Sequence, residues 1–550
     1  MKLTNILLGA LAAGSLAACA DLDTEYLDNI VSSDQKQEVL EQNPDMASAS
    51  VMGIYSSFFK IFSVYTNAHF DFGYPAVMIG MDSQGLDYIS KNSGYNWFST
   101  YNGLEGNKAA GPRSSQLWYY QYSQISTCNT LIGSIPADTD EPELQFYRAQ
   151  GLATRSFDYW TLAQTYQFNY ANFQESPCVP IITDLNSNEV AENGAPRATV
   201  REVYEQIMSD INEAIDLLSR SGINPASVIN EKPKRMVSLA VAYGLRARYN
   251  LTMERWAEAA ADAQAAISNF SGAPYSMAEV SKPTFTSIND ASWMWGIALA
   301  ETTEGIAGGS IVNFPAMSCT FAHGYCDQGG AWRWCSKVLY DWIPNTDVRK
   351  GWFLDANRKS RNLSDAQQEY IDGFVTGTPI YTEDASTNIM PYTNVKFDSY
   401  QSVLEQGMNA SDVPLMRVEE MYLIKAEAQA MSGDLPGAKE TLNNFVRTYR
   451  DPAYASVATD AAAFQNEVWM QRRVELWGEG LSFFDIMRLR KDIDRRGCTF
   501  PKVWVYNIKY GPGDGDILLN LVPDTEISAN RGISSEQNNP AASQPSAVTD

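Results

Sequence analysis

Residues 471–491 read QRRVELWGEGLSFFDIMRLRK. Apolar side chains at Val474, Leu476, Trp477, Leu481, Phe483, Phe484, Ile486, Met487 and Leu489 recur at intervals of three and four, the period of a helix that buries most of its circumference. Between them stand Arg472, Arg473, Glu475, Glu479, Asp485, Arg488 and Arg490. A charge among aromatics is costly unless it meets its opposite, so the pattern predicts buried ion pairs with other parts of the chain rather than a catalytic cluster. Gly478 and Gly480 predict a bend in this helix. Only specific neighbours can satisfy a segment so rich in bulky and charged groups, which makes it the expected central strut of a large helical fold.

Outward from the strut, helical patterns dominate. One starts near Met46 and runs through Val51, Ile54, Tyr55, Phe58 and Phe59; another covers Ser115–Ser134. Within 141–167 small residues alternate with Phe157, Trp160 and Tyr166, which lets antiparallel helices pack closely, as in tetratricopeptide hairpins. Thr199, three residues before Glu202, predicts a capping box opening a helix to Leu218. Residues 234–251 with 255–270, and 413–431 with 436–449, read as further hairpins. The long insertions between them argue against a tandem array. From 271 to 412 the texture changes: Ser292–Ile297 alternates like a strand, and 308–342 is rich in Gly, Cys and aromatics. Phe70–Gly103 shows no sustained helical period and reads as a long structured loop, the kind of element on which binding residues gather. The expected fold is mainly α: a tetratricopeptide-like helical hairpin scaffold (about 43–270 and 413–491) with an inserted irregular α+β region (about 271–412). It forms one domain, 43–532, followed by a flexible low-complexity tail, 533–550.

Composition narrows the function. The chain of 550 residues is long enough for a sizeable core, and its net charge of −24 argues against nucleic acid, since no basic stripe is present to neutralise phosphate. After Lys2, the apolar run Ile6–Leu16 is too short to span a bilayer stably and ends in Leu16-Ala17-Ala18-Cys19. His69 and His323 fall in no recognisable triad or metal motif, no phosphate-binding glycine loop occurs, and no carboxylate pair stands out, so no catalytic residue, cofactor or metal site is assigned. Cys319, Cys326 and Cys335 cluster around His323 at spacings that match no common zinc pattern. A disulfide within this cluster is the expectation for an exported protein, with the pair left open; Cys128, Cys178 and Cys498 complete the set.

Two stretches combine aromatic rings with hydrogen-bonding side chains. One holds Tyr95, Asn96, Trp97 and Tyr101; the other holds Tyr325, Asp327, Trp332, Arg333 and Trp334. A sugar ring packs its C–H face on an aromatic plane, while Asn, Asp and Arg side chains read its hydroxyls. The other reading of the same residues is that these rings plug the core of an irregular region.

The strut resembles the C-terminal signature of the SusD/RagB-like family, Bacteroidetes surface nutrient-binding lipoproteins, in Arg472-Arg473, Glu475-Leu476, Glu479-Gly480, Phe484-Asp485 and Arg488. Ser482 stands where that family usually has arginine, which puts one ion pair of its network in doubt. Further resemblance lies in Trp118, Tyr122, Ile125 and Asn129, in Asp347-Val348-Arg349, and in Arg417, Glu420, Leu423 and Ala426-Glu427-Ala428. Residues 16–19 resemble a lipobox, which implies removal of a signal peptide, 1–18, and lipid on Cys19. Residues 19–42 would then be a spacer, with Asp21–Glu25 similar to surface-export signals. The resemblance implies a non-catalytic lipoprotein of the outer membrane, facing the cell exterior. It would capture a glycan or oligosaccharide and deliver it to a SusC-like TonB-dependent transporter. Starch-binding members use an aromatic arc from loops in comparable places. The alternatives are peptide capture of the RagB type, a scaffold that binds no ligand, and a secreted glycosidase.

Overall fold

A computed structural model describes residues 45–92, 96–105, 110–375 and 388–550. The signal segment, Cys19, the whole spacer (19–42) and Tyr95 lie outside the described residues. The fold is mainly α. Its principal elements are α1 (Asp45–Ser57), α2 (Tyr74–Ser83), β1 (Tyr88–Ser90), α3 (Pro112–Ser134), α4 (Pro142–Tyr166), α5 (Val200–Ser221), α6 (Leu239–Thr252), α7 (Trp256–Asn269), β2 (Trp293–Ile297), β3 (Arg333–Cys335), β4 (Val413–Arg417), α8 (Val418–Met431), α9 (Leu435–Tyr449), α10 (Ala461–Glu475) and α11 (Ser482–Leu489). From α3 to α9 each helix packs on the next, and α10 closes on α8.

Local chemistry explains the hairpins. At α5 the Thr199 hydroxyl accepts from the Glu202 N–H at 3.2 Å, and the Glu202 carboxylate accepts from the Thr199 N–H at 2.8 Å. This is the capping box expected from the sequence, contributing about 1 kcal/mol. Gly151 lets α4 approach α3, because a Cβ there would sit 2.9 Å from the Ile132 side chain.

The structure differs from the sequence reading in three elements. Residues 413–417 form β4 rather than the start of a helix. They pair antiparallel with β2, Arg417 opposite Trp293, and this tertiary pairing outweighs local propensity. Phe70–Gly103 is not a continuous loop, since α2 and β1 lie within it; every residue of α2 is buried, which leaves no polar stripe to reveal a helical period. The strut is two helices rather than one bent helix. Gly478 (φ 77°) and Gly480 (φ 80°) adopt the left-handed region between α10 and α11, and a Cβ on Gly480 would meet that of Met78 at 2.7 Å.

The strut's charges are paired as its pattern requires. Glu475 accepts from Arg450 at 2.8 Å, Arg417 at 3.1 Å and Arg349 at 3.2 Å. Glu479 accepts from Arg417 at 2.7 Å and Lys396 at 2.6 Å. Arg417 and Arg450 also reach Glu419, each at 3.1 Å, and Arg349 reaches Asp347 at 2.6 Å. A second group joins Arg472 and Arg488 through Asp485, with Arg488 continuing to Glu427. Burial alone would raise the Glu475 carboxyl, but the three guanidinium groups hold it well below the usual carboxylate range.

Asp82 lies against the start of α11. Its buried carboxylate accepts from the N–H groups of Gly480 (2.9 Å) and Ser482 (3.1 Å). Burial pushes this carboxyl up to about 7. Its folded-state pKa is thus above the unfolded value, so the folded chain holds the extra proton between about pH 4 and 7. Stability from this group is full below that window and lost as pH rises through it. Wild type is expected to lose on the order of 2–4 kcal/mol between pH 5 and 8 from this source, and Asp82→Asn to lose that much less. Urea midpoints at the two pH values check this; parallel losses in both proteins would contradict it.

The disulfide expected at 319–335 is not formed. All six described cysteines are buried free thiols. Cys319, Cys326 and Cys335 direct their sulfurs to different backbone carbonyls, those of Phe397 (3.4 Å), Ala331 (3.8 Å) and Ser336 (3.4 Å), and burial pushes all three thiols up. Residues 533–550, expected as a flexible tail, run along the body: Arg197 donates to the carbonyl of Gln537 and the side chain of Asn539, and Val548 N–H donates to Val505 O at 2.8 Å.

Candidate functional site: an aromatic platform

The two aromatic stretches singled out in the sequence meet in space. Antiparallel pairing of β1 with β3 sets Ser90 opposite Arg333, Ile89 opposite Trp334 and Tyr88 opposite Cys335. Arg333 crosses the join, donating to Asn96 Oδ1 at 2.9 Å and Met317 O at 3.0 Å, with its guanidinium over Tyr88 and Phe98. Asn96 in turn donates to Ser90 Oγ (2.6 Å) and Lys91 O (2.8 Å).

Most of the residues named from sequence are the support of this site, not its surface. Trp332, Arg333, Trp334, Asn96, Asp327, Tyr101 and Tyr325 are all buried. Trp332 packs edge-on against Phe374 at 5.1 Å, and the Trp334 indole N–H donates to Thr499 O at 3.2 Å. Tyr101 lies under the Arg113 guanidinium. Asp327 closes a turn by accepting from the N–H groups of Gly324 and Gln328, both at 2.7 Å, with His323 beside it at 3.3 Å. These side chains face the interior, and Asn96 and Asp327 are held there by hydrogen bonds within the protein.

Trp97 is half-buried and presents its ring at the surface. It stacks on His69, with centroids 4.9 Å apart and planes at 27°, and His69 Nδ1 is hydrogen-bonded to the Tyr325 hydroxyl. His69 thus ties Trp97 to Tyr325 across more than two hundred residues of sequence. Phe70 lies 6.4 Å from Trp97, Tyr65 lies 5.8 Å from Phe70, and Phe62 lies 6.0 Å from His69. The result is a platform of half-buried rings. Burial lowers the His69 pKa, which favours the neutral ring in the stack. The 62–70 loop is fixed by Asp71, which accepts from Ser63 Oγ (2.8 Å) and from the N–H groups of Val64 (2.6 Å) and Tyr65 (2.8 Å).

Phe62, Tyr65, His69 and Phe70 are platform residues that the sequence reading did not assign. The only signal was their density in FSVYTNAHF, 62–70. Among the described residues no group of three or more His, Cys, Asp or Glu is placed to hold a metal ion, and no helix is long and apolar enough to cross a membrane.

Comparison with known families matches both halves of this architecture. A SusD-like family described as starch-binding, associating with the outer membrane, matches residues 38–251, and the SusD family proper matches 332–541. Among solved structures, a SusD-like carbohydrate-binding protein from Bacteroides vulgatus ATCC 8482 superimposes with a TM-score of 0.69 at 22% identity, over 90% of this chain and 97% of that one. A SusD superfamily protein from Bacteroides thetaiotaomicron VPI-5482 gives 0.68 at 21%, over 90% and 99%. A laminarin-binding SusD-like protein gives 0.61 at 18%, over 90% and 99%. At these identities the likeness to the solved structures is one of fold. No curated protein matches the chain. With one family model matching residues 38–251 and the other 332–541, the chain belongs to the SusD/RagB-like family.

Proposed function

We propose that this chain is a non-catalytic glycan-binding lipoprotein, held on the outer membrane through lipid on Cys19 and facing the cell exterior. It would capture an oligosaccharide or polysaccharide and pass it to a SusC-like TonB-dependent transporter over which it acts as a lid. The observation that carries the binding role is the half-buried ring platform of Trp97, His69, Phe70 and Tyr65, set on a buried base in which Arg333 is hydrogen-bonded to Asn96 and Met317. Rings held rigid before a ligand arrives lose little entropy on binding, and their flat faces suit the C–H face of a sugar. The laminarin-binding and carbohydrate-binding proteins that share the fold support this ligand class. Anchoring, export and transporter coupling rest on the lipobox resemblance at 16–19 and on membership of the family.

Titrating the purified chain with soluble polysaccharides and with mixed peptides, read by tryptophan fluorescence, tests the binding role. A saturable change with one glycan class and none with peptides is expected. Saturation by peptides alone would move the assignment to peptide capture.

A further inference from the structure

A groove of about 550 Å³ opens on the outer face of α3, away from the β1–β3 join. That volume lies within the range of small-molecule sites. One wall is the helix itself, where Trp118 and Tyr122 pack at 4.8 Å and Tyr119 presents a half-buried ring. The facing wall is the segment from Pro180 to Val190, a loop running into a short helix that starts at Ser187, and it is fixed in place. Tyr122 donates to Pro180 O at 2.7 Å, Asn129 to Ile182 O at 3.0 Å, and Tyr159 to Ile182 O at 2.8 Å. The groove therefore does not depend on a ligand for its shape.

Its chemistry is that of a neutral, hydroxyl-rich ligand. Ring faces stand on one side, while Ser126, Thr130 and Asn188 bring exposed hydroxyl and amide groups to the rim. Arg155, the cation behind the wall, is already neutralised between Asp184 (2.7 Å) and Asp210 (2.8 Å). With Glu526 as the other charge at the groove, an anionic ligand would meet no unpaired partner.

We infer that the α3 groove is a second saccharide subsite, so that a glycan chain long enough to reach both engages the protein at the Trp97 platform and at the groove. This deepens the glycan-binding reading and rests on it. Contact at a second point is effectively intramolecular, so a glycan long enough to span both gains affinity over a short one.

The test uses the purified full chain with starch, laminarin and dextran, each alongside its own trisaccharide, measured by calorimetry. Ser126→Trp blocks the groove from an exposed position, and Thr130→Arg blocks it independently; unchanged melting temperatures establish that both fold. Each is expected to weaken polymer binding by at least about tenfold and to leave the trisaccharide unchanged, while Trp97→Ala weakens both. Polymer affinity unchanged in both groove variants overturns the second subsite and leaves the platform standing. Binding abolished by the groove variants but indifferent to Trp97→Ala overturns the platform instead. No binding to any of the glycans overturns both.

Discussion

Glu475→Gln is expected to destabilise the chain by about 3–5 kcal/mol, read from urea midpoints. The substitution keeps the shape of the side chain and removes one charge from a buried set that balances: Arg349, Arg417, Arg450 and Lys396 against Asp347, Glu419, Glu475 and Glu479. Neutralising Glu475 leaves a net positive charge where water cannot reach it, and one of the two 2.8 Å contacts from Arg450 then meets an amide NH2 instead of an acceptor. An exposed pair provides the control: Lys337→Ala, which removes the partner of Asp341 on the surface, should not move the midpoint measurably. A loss below about 1 kcal/mol for Glu475→Gln would contradict the strut's role as the electrostatic centre of the fold.

Trp97→Ala is expected to weaken glycan binding by about 30-fold or more, the effect of removing a central aromatic anchor. Because Trp97 is half-buried and contacts His69 and Phe70 at the surface, the fold should survive, which circular dichroism and a melting curve check. Trp332→Phe serves as contrast. Trp332 is fully buried, so this change should reduce stability while leaving affinity within about twofold. An equal loss of affinity in both variants would mean that the platform is not the contact surface.

The fold was legible where periodicity and charge fell on the same turns. Residues 471–491 combine a helical apolar repeat with eight charged side chains, and both features demand burial, so their place at the centre could be read without coordinates. The Thr199–Glu202 box was legible for a similar reason, since its mechanism is local. The helix Tyr74–Ser83 was not, because burial all round erases the stripe. The strand Val413–Arg417 was hidden because its partner lies more than a hundred residues away.

The site was half legible. Composition pointed to the stretches around Trp97 and Trp332, and β1–β3 pairing joins them. Composition does not say which rings face outward, and β3 is covered on both faces, which takes Trp334 and Arg333 inside. The loop 62–70 was missed because its aromatics have neither period. Only the hydrogen bonds to Asp71 gather them into a surface. The cysteines mislead in the opposite way, since proximity in sequence suggests a bond that three separate carbonyl contacts replace.

The most direct measurement of the central claim is the structure of the chain with an oligosaccharide of the glycan class selected by titration. The expected result is a sugar ring lying face-on against the Trp97 indole, with Tyr65 or Phe70 flanking the next unit. A saccharide bound elsewhere with the Trp97 face bare, or bound by groups other than this platform, would contradict it.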